Sequence, residues 1–128
     1  MDPSDCRVLV VDDNEDNAIS LAMILESERF NVRVEYDGPR ALVALAQFRP
    51  HAALLDIGLP GLSGYALARH ARELFGSNVL LVAVSGWGTT HDIKTAFESG
   101  FDRHFTKPTD PFDLVRVVAE QCLSKAPC

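Results

Sequence analysis

Basic residues are in deficit, with twelve Lys and Arg against eighteen Asp and Glu, a net charge of −6. Nucleic-acid phosphates are neutralised largely by Lys and Arg, so the deficit argues against a direct DNA or RNA footprint and favours a protein partner or a metal ion. No apolar run approaches the length of about eighteen residues that a membrane span requires, and no membrane association is expected. Met1 to Asp5 carries neither a basic nor an apolar stretch, so a secretory signal is not expected. Cysteine is limited to Cys6, Cys122 and Cys128, with no CxxC spacing and no paired framework. Buried or incidental thiols in a reducing, cytoplasmic compartment are the expectation. His51, His70, His91 and His104 lack metal-ligand spacing, which argues against zinc. The glycines form no GxGxxG or phosphate-binding loop, and Ala83–Trp87 is not a GxSxG elbow.

What the chain does have is alternation. Its 128 residues suffice for one domain with an ordinary core. A single domain over 1–128 is expected, with its core at about 6–123 and short frayed tails, Met1 to Asp5 and Ser124 to Cys128. Strand-like runs alternate with amphipathic segments, the pattern of βαβ units around a parallel sheet. Val8–Val11, Ala52–Leu55 and Val79–Val84 are apolar without interruption, as in strands covered on both faces. These should be central. Val32–Tyr36 alternates and Phe101–Phe105 is polar, so these should be the edges.

The intervening helices are punctuated. Ala18, Leu21, Ala22 and Leu25 make a stripe in the first, whose opening Glu15-Asp16 suits the positive end of the dipole. Asp37 and Pro39 open the second, with Leu42, Leu45 and Ala46 inward. Ser63 caps the third, where Leu67, Ala71 and Leu74 line one face before Gly76 ends it. Thr89 or Thr90 opens the fourth, which Gly100 closes. Asp110 followed by Pro111 starts the fifth, with Val115, Val118, Ala119 and Cys122 buried. The long interval from Asp12 to Asp56 holds an extra strand. Placing that strand outside the first gives the doubly wound order 2-1-3-4-5.

In such a sheet the ligand crevice lies beyond the carboxyl ends of the strands. Four apolar runs end on reactive side chains: Asp12-Asp13, Asp56, Ser85 and Lys107-Pro108. Alone, each has an ordinary reading as a turn, a cap or a surface ion pair. Together they place three carboxylates, a hydroxyl and an ammonium at one rim. Unit charges about 4 Å apart near a surface repel by roughly 4 kcal/mol. Either a carboxyl binds a proton or a cation joins the cluster, and hard oxygen ligands suit Mg2+. A carboxylate beside that ion can attack phosphorus, with Lys107 as a further positive charge.

At these residues the chain resembles the receiver domain of two-component response regulators, over nearly its whole length. The resemblance implies the flavodoxin-like α/β fold, a doubly wound (βα)5 sandwich with a five-stranded parallel sheet of order 2-1-3-4-5. It also implies that Asp56, in Leu54-Leu55-Asp56-Ile57-Gly58, is a phosphoacceptor. The donor would be a phosphohistidine on a sensor histidine kinase or histidine phosphotransfer protein. Mg2+ would be held by Asp13, Asp56 and the Gly58 carbonyl, with Asp12 acting mainly through water. Ser85 would be the switch hydroxyl, and Lys107 would precede Pro108 across a bond that is usually cis. The face of the fourth helix, fifth strand and fifth helix would meet a downstream protein.

His104 replaces the family's usual Tyr or Phe three positions before Lys107. It has two readings, part of the switch or an exposed edge residue. Histidine there also occurs in receivers of hybrid kinases, which keeps relay open beside switching. By the same resemblance Gly58 and Trp87 occupy positions that influence hydrolysis of the aspartyl phosphate, and Trp87 is either a plain surface aromatic, the favoured reading, or a shield that would prolong the phosphorylated state. Slow autodephosphorylation is expected. Two other functions stay open, a haloacid-dehalogenase-like phosphatase, whose DxD motif is missing, and a phosphorylation-independent binding module.

Overall fold

Strand and helix alternate without exception. The computed structural model describes residues 2–59, 61–86 and 88–123. Its elements are β1 (Arg7–Val11), α1 (Glu15–Ser27), β2 (Asn31–Glu35), α2 (Gly38–Phe48), β3 (Ala52–Asp56), α3 (Gly64–Phe75), β4 (Leu80–Ser85), α4 (Thr90–Glu98), β5 (Arg103–Thr106) and α5 (Pro111–Leu123). All strand pairs are parallel, in the order β2-β1-β3-β4-β5. The apolar runs make the three central strands and the polar ones the edges, as their patterns require.

Side-chain alternation along the strands divides the core. Leu9, Val11, Ala53, Leu55, Leu81 and Ala83 face α2, α3 and α4, where Ala44, Leu45, Leu67, Ala71 and Ala96 are buried. Val8, Val10, Ala52, Leu54 and Val82 face α1 and α5, meeting Ala18, Leu25, Leu114 and Val118. The helix starts are capped by short polar side chains. Asp37 accepts from the Arg40 N–H at 2.8 Å, Ser63 from Ala66 at 3.3 Å, and Asp110 from Phe112 at 2.9 Å. Thr89, not Thr90, caps α4, in a reciprocal box with Asp92. Asn14 caps α1 through the Asn17 N–H, a role the sequence pattern had not singled out.

Some expectations shift by part of a helical turn. In α2 the buried set is Gly38, Ala41, Ala44 and Leu45, while Ala46 is exposed. In α3, Leu67, Ala68 and Ala71 turn inward and Leu74 is 52% exposed. At 3.6 residues per turn, position 74 lies at the margin of the stripe, and half-buried Phe75 takes its place in the core. The amino-terminal tail is more ordered than expected. Pro3–Asp5 forms a 3-10 turn, capped by Asp2 through the Ser4 N–H at 2.9 Å. Met1 and Ser124 to Cys128 lie outside the described residues.

The cysteine expectation is corrected. Cys6 and Cys122 are joined by a disulfide, with Cα atoms 5.9 Å apart and 116 residues of separation. Both lie in the core between the sheet and the α1/α5 layer. Chain spacing carries no sign of this pairing, because only the closed fold brings the start of β1 against the last turn of α5.

Two arginines tie together the rim where the strands begin. Arg7 Nε donates to the carbonyls of Phe48 and Arg49, both at 2.9 Å, and the Arg7 backbone N–H donates to His51 Nδ1 at 3.0 Å. Arg72, on α3, donates to the carbonyls of Gly76 at 2.7 Å, Val79 at 2.8 Å and Gly100 at 2.8 Å. Its remaining arm pairs with Asp102, which also accepts the Leu81 N–H at 2.8 Å. Truncating Arg72 strands several partly buried acceptors. Arg72→Ala should therefore cost about 2–3 kcal/mol in urea denaturation. Arg72→Lys should recover little of it, since one ammonium cannot reach the same set.

Candidate functional site

The four chemically suggestive strand endings meet. Lys107 Nζ donates to Asp12 Oδ2 at 3.1 Å and to Asp56 Oδ2 at 3.2 Å, across 95 and 51 residues of chain. Asp12 is 9% exposed, and its other oxygen accepts the Asn14 N–H at 2.9 Å. Asp56 Oδ1 accepts the Gly58 N–H at 2.9 Å. Asp13 is exposed, yet it offers an oxygen within 4.8 Å of those offered by Asp12 and Asp56. The Lys107 backbone N–H donates to the Ser85 carbonyl at 2.7 Å, which ties the β5 ending to β4. Ser85 is buried to 1% exposure. The Lys107–Pro108 peptide is cis, as the resemblance implies.

The electrostatics follow from this crowding. Burial raises the Asp56 carboxyl above its ordinary value, and the Asp12 charge adds to the rise. The Gly58 N–H and the Lys107 ammonium oppose it without cancelling it. For Lys107, burial works against the charge, but the hydrogen bond to Asp12 and the charges of Asp56 and Asp12 outweigh it and raise its pKa. One ammonium thus faces three carboxylates. The donors are all hard oxygens, the kind of set that takes Mg2+ readily, so these residues fit that ion.

Other expected residues sit farther from the centre. Pairing of Ser85 with Thr106 and Ala83 with His104 puts His104 two residues back along β5 from the rim. His104 is not an exposed edge residue. It is half-buried, and its Nε2 is enclosed with no hydrogen-bond partner among the described residues. Gly58 enters through its N–H, and Pro108 lines a neighbouring cavity. Trp87 lies outside the described residues.

Two features escaped the sequence reading. A cavity of about 490 Å³ opens beside the site, between α1 and the β5–α5 turn, and is lined by Asp12, Leu21, Ile24, Lys107, Pro108 and Leu114 among others. The second is Gly64, the first residue of α3. A Cβ there would lie 2.6 Å from the Asp56 carbonyl oxygen and 2.7 Å from Ile57 Cα. Close approach of α3 thus fixes the backbone that presents Asp56. Gly64→Ala should cost about 2 kcal/mol in chemical denaturation. Gly86→Ala, where an added carbon meets nothing within 4 Å, should change stability by less than about 0.5 kcal/mol.

Comparison with known proteins agrees with this geometry. Residues 8–119 match the model of the response regulator receiver domain. The DNA-binding response regulator MtrA of Mycobacterium tuberculosis is 38% identical over 115 residues, which cover 90% of this chain and 50% of MtrA. The chain thus spans about half of that relative's length. An uncharacterized 14.6 kDa protein of Leptolyngbya boryana is 34% identical over 121 residues, covering 94% of this chain and 92% of its own. Among solved structures, a CheY-like receiver domain protein from Methanospirillum hungatei superposes with a TM-score of 0.84 at 27% identity, covering 93% of this chain and 98% of that one. The receiver domain of the Francisella response regulator 1452 superposes at 0.86 with 23% identity, covering 94% and 99%, and shows the same fold. Strand order, rim chemistry and these similarities lead to one conclusion: the chain belongs to the receiver domain family of two-component response regulators.

Proposed function

We propose that Asp56 accepts a phosphoryl group from a phosphohistidine on a sensor histidine kinase or histidine phosphotransfer protein. The observation that carries this reading is the bridge from Lys107 to Asp12 and Asp56, with a third carboxylate close to both. An Asp56 carboxylate oxygen forms the new P–O bond while the P–N bond to the donor breaks, and the imidazole keeps the released electron pair. Lys107 is placed to draw charge from the phosphoryl oxygens, and the Ser85 hydroxyl to hydrogen-bond one of them. Asp13, Asp56 and the Gly58 carbonyl would hold Mg2+, with Asp12 acting mainly through water. The ion supplies neutralisation of charge on the transferring group.

The donor fits the groove between α1 and the β5–α5 turn, which opens beside Asp12 and Lys107. Ile19 and Met23 on α1 and Phe112 at the start of α5 are exposed at 44%, 65% and 59%, giving these elements apolar contact area. On the α4/β5/α5 face, Phe97 is 49% exposed, and the enclosed His104 can report the state of Ser85 to a downstream protein. We place the reaction in the cytoplasm, where phosphoryl donors are made from ATP. No described helix is long and apolar enough to cross a membrane.

With acetyl phosphate and Mg2+, intact mass should show one added phosphoryl group on the wild type and none on Asp56→Asn. Continuous turnover of a phosphate monoester would instead indicate a phosphatase. Unchanged partner affinity in Asp56→Asn would indicate a phosphorylation-independent module. Asp13→Asn should weaken Mg2+ binding by about tenfold or more, since it removes one of three charges, and should slightly raise the thermal midpoint without metal. The raised Asp56 carboxyl binds its proton more tightly folded than unfolded. Its contribution to metal-free stability is therefore present below the ordinary carboxylate range and is lost as pH rises through the folded value. Thermal scans of Asp56→Asn should lack that decline.

A further inference from the structure

At the rim opposite the carboxylates, the Sγ atoms of Cys6 and Cys122 and a ring nitrogen of His51 lie within 4.8 Å of one another. Two thiols and an imidazole could suggest zinc, but the hydrogen bonding argues otherwise. His51 Nδ1 accepts the Arg7 N–H at 3.0 Å, so the ring proton resides on Nε2 and neither nitrogen offers a lone pair to a metal. What remains is sulfur chemistry. Cys6 and Cys122 are 0% and 1% exposed and already joined.

We propose that Cys6 and Cys122 form a reversible dithiol–disulfide site, oxidised and reduced by exchange with glutathione, that locks the last turn of α5 to the start of β1. Three observations support exchange over a fixed structural bond. Two full hydrophobic clusters cover the sheet, so the fold does not depend on a covalent staple. Reduced cysteines behave as small apolar side chains, so the same core accepts either state. Each cysteine also sits at an element end, Cys6 just after the turn Pro3–Asp5 and Cys122 in the final turn of α5. Local opening at such ends exposes a buried sulfur without global unfolding.

In the oxidising direction, one cysteine thiolate attacks oxidised glutathione. A mixed disulfide forms and one glutathione thiolate leaves. The second cysteine then attacks the cysteine sulfur of that mixed disulfide, closing the Sγ–Sγ bond and releasing the second glutathione. Two electrons pass from the protein to glutathione, and the two thiol protons end on its thiols. The bond closes a loop spanning 116 residues and ties the two elements whose opposite ends adjoin the acidic rim. The proposal does not require Asp56 to be phosphorylated.

The test uses the full chain carrying Cys128→Ser, equilibrated in glutathione buffers from fully reduced to fully oxidised, then alkylated under denaturing conditions and weighed intact. Two adducts should appear at the reduced end and none at the oxidised end, with a midpoint inside the buffer range. The oxidised form should melt about 10 °C above the reduced form. In Cys6→Ala and Cys122→Ala, each combined with Cys128→Ser, that difference should vanish. Amide exchange in the last turn of α5 should quicken on reduction. The proposal is overturned if two adducts persist at the oxidised end, if the bond resists the reduced buffer, or if the midpoints coincide. Stoichiometric zinc uptake by the reduced protein would overturn it in favour of a metal site.

Discussion

Three carboxylates held at one rim by two strand endings, with a single ammonium from a third ending between two of them, form the constraint around which the molecule is arranged. Packing keeps them there. Asp12 follows the buried run Val8–Val11 of β1, Asp56 follows the buried run Ala52–Leu55 of β3, and the backbone of Lys107 is hydrogen-bonded to β4. Asp12 and Asp56 cannot withdraw into solvent without disturbing a strand, whereas Asp13 is exposed. The crowding is relieved by a proton or a further cation, and burial, with the Asp12 charge adding to it, holds the Asp56 carboxyl above its ordinary value.

Each face of the sheet has a separate task. The layer of α2, α3 and α4 positions the acceptor: Gly64 brings α3 onto the Asp56 backbone, and a Cβ on Gly38 of α2 would lie 2.2 Å from the Leu62 carbonyl oxygen. The loop after the acceptor is thus clasped by two helix starts. The layer of α1 and α5 borders the open groove and also carries the disulfide. An event at one end of α5 therefore shares a rigid element with an event at the other.

Much of this could be read from residue order. Uninterrupted apolar runs identified the central strands, and the length of the Asp12–Asp56 interval exposed the edge strand between them. The converging endings named Asp12, Asp56, Ser85 and Lys107 before any coordinates did. What could not be read depends on distances between remote segments. The Cys6–Cys122 pair, the enclosure of His104 and the groove beside α1 exist only once the helices are laid on the sheet. Leu74 and Ala46 were misplaced for a smaller reason: a stripe read over three turns has soft margins, and neighbours such as Phe75 and Ala44 fill the same space.

The guanidinium groups of Arg7 and Arg72 gather carbonyls at one pole of the sheet, while the other pole is left to loops and mutually repelling charge. Such a molecule is mechanically lopsided. Because the strand beginnings are pinned, the loops at the opposite pole can vary in sequence without losing the alignment of the strands that carry the reactive endings.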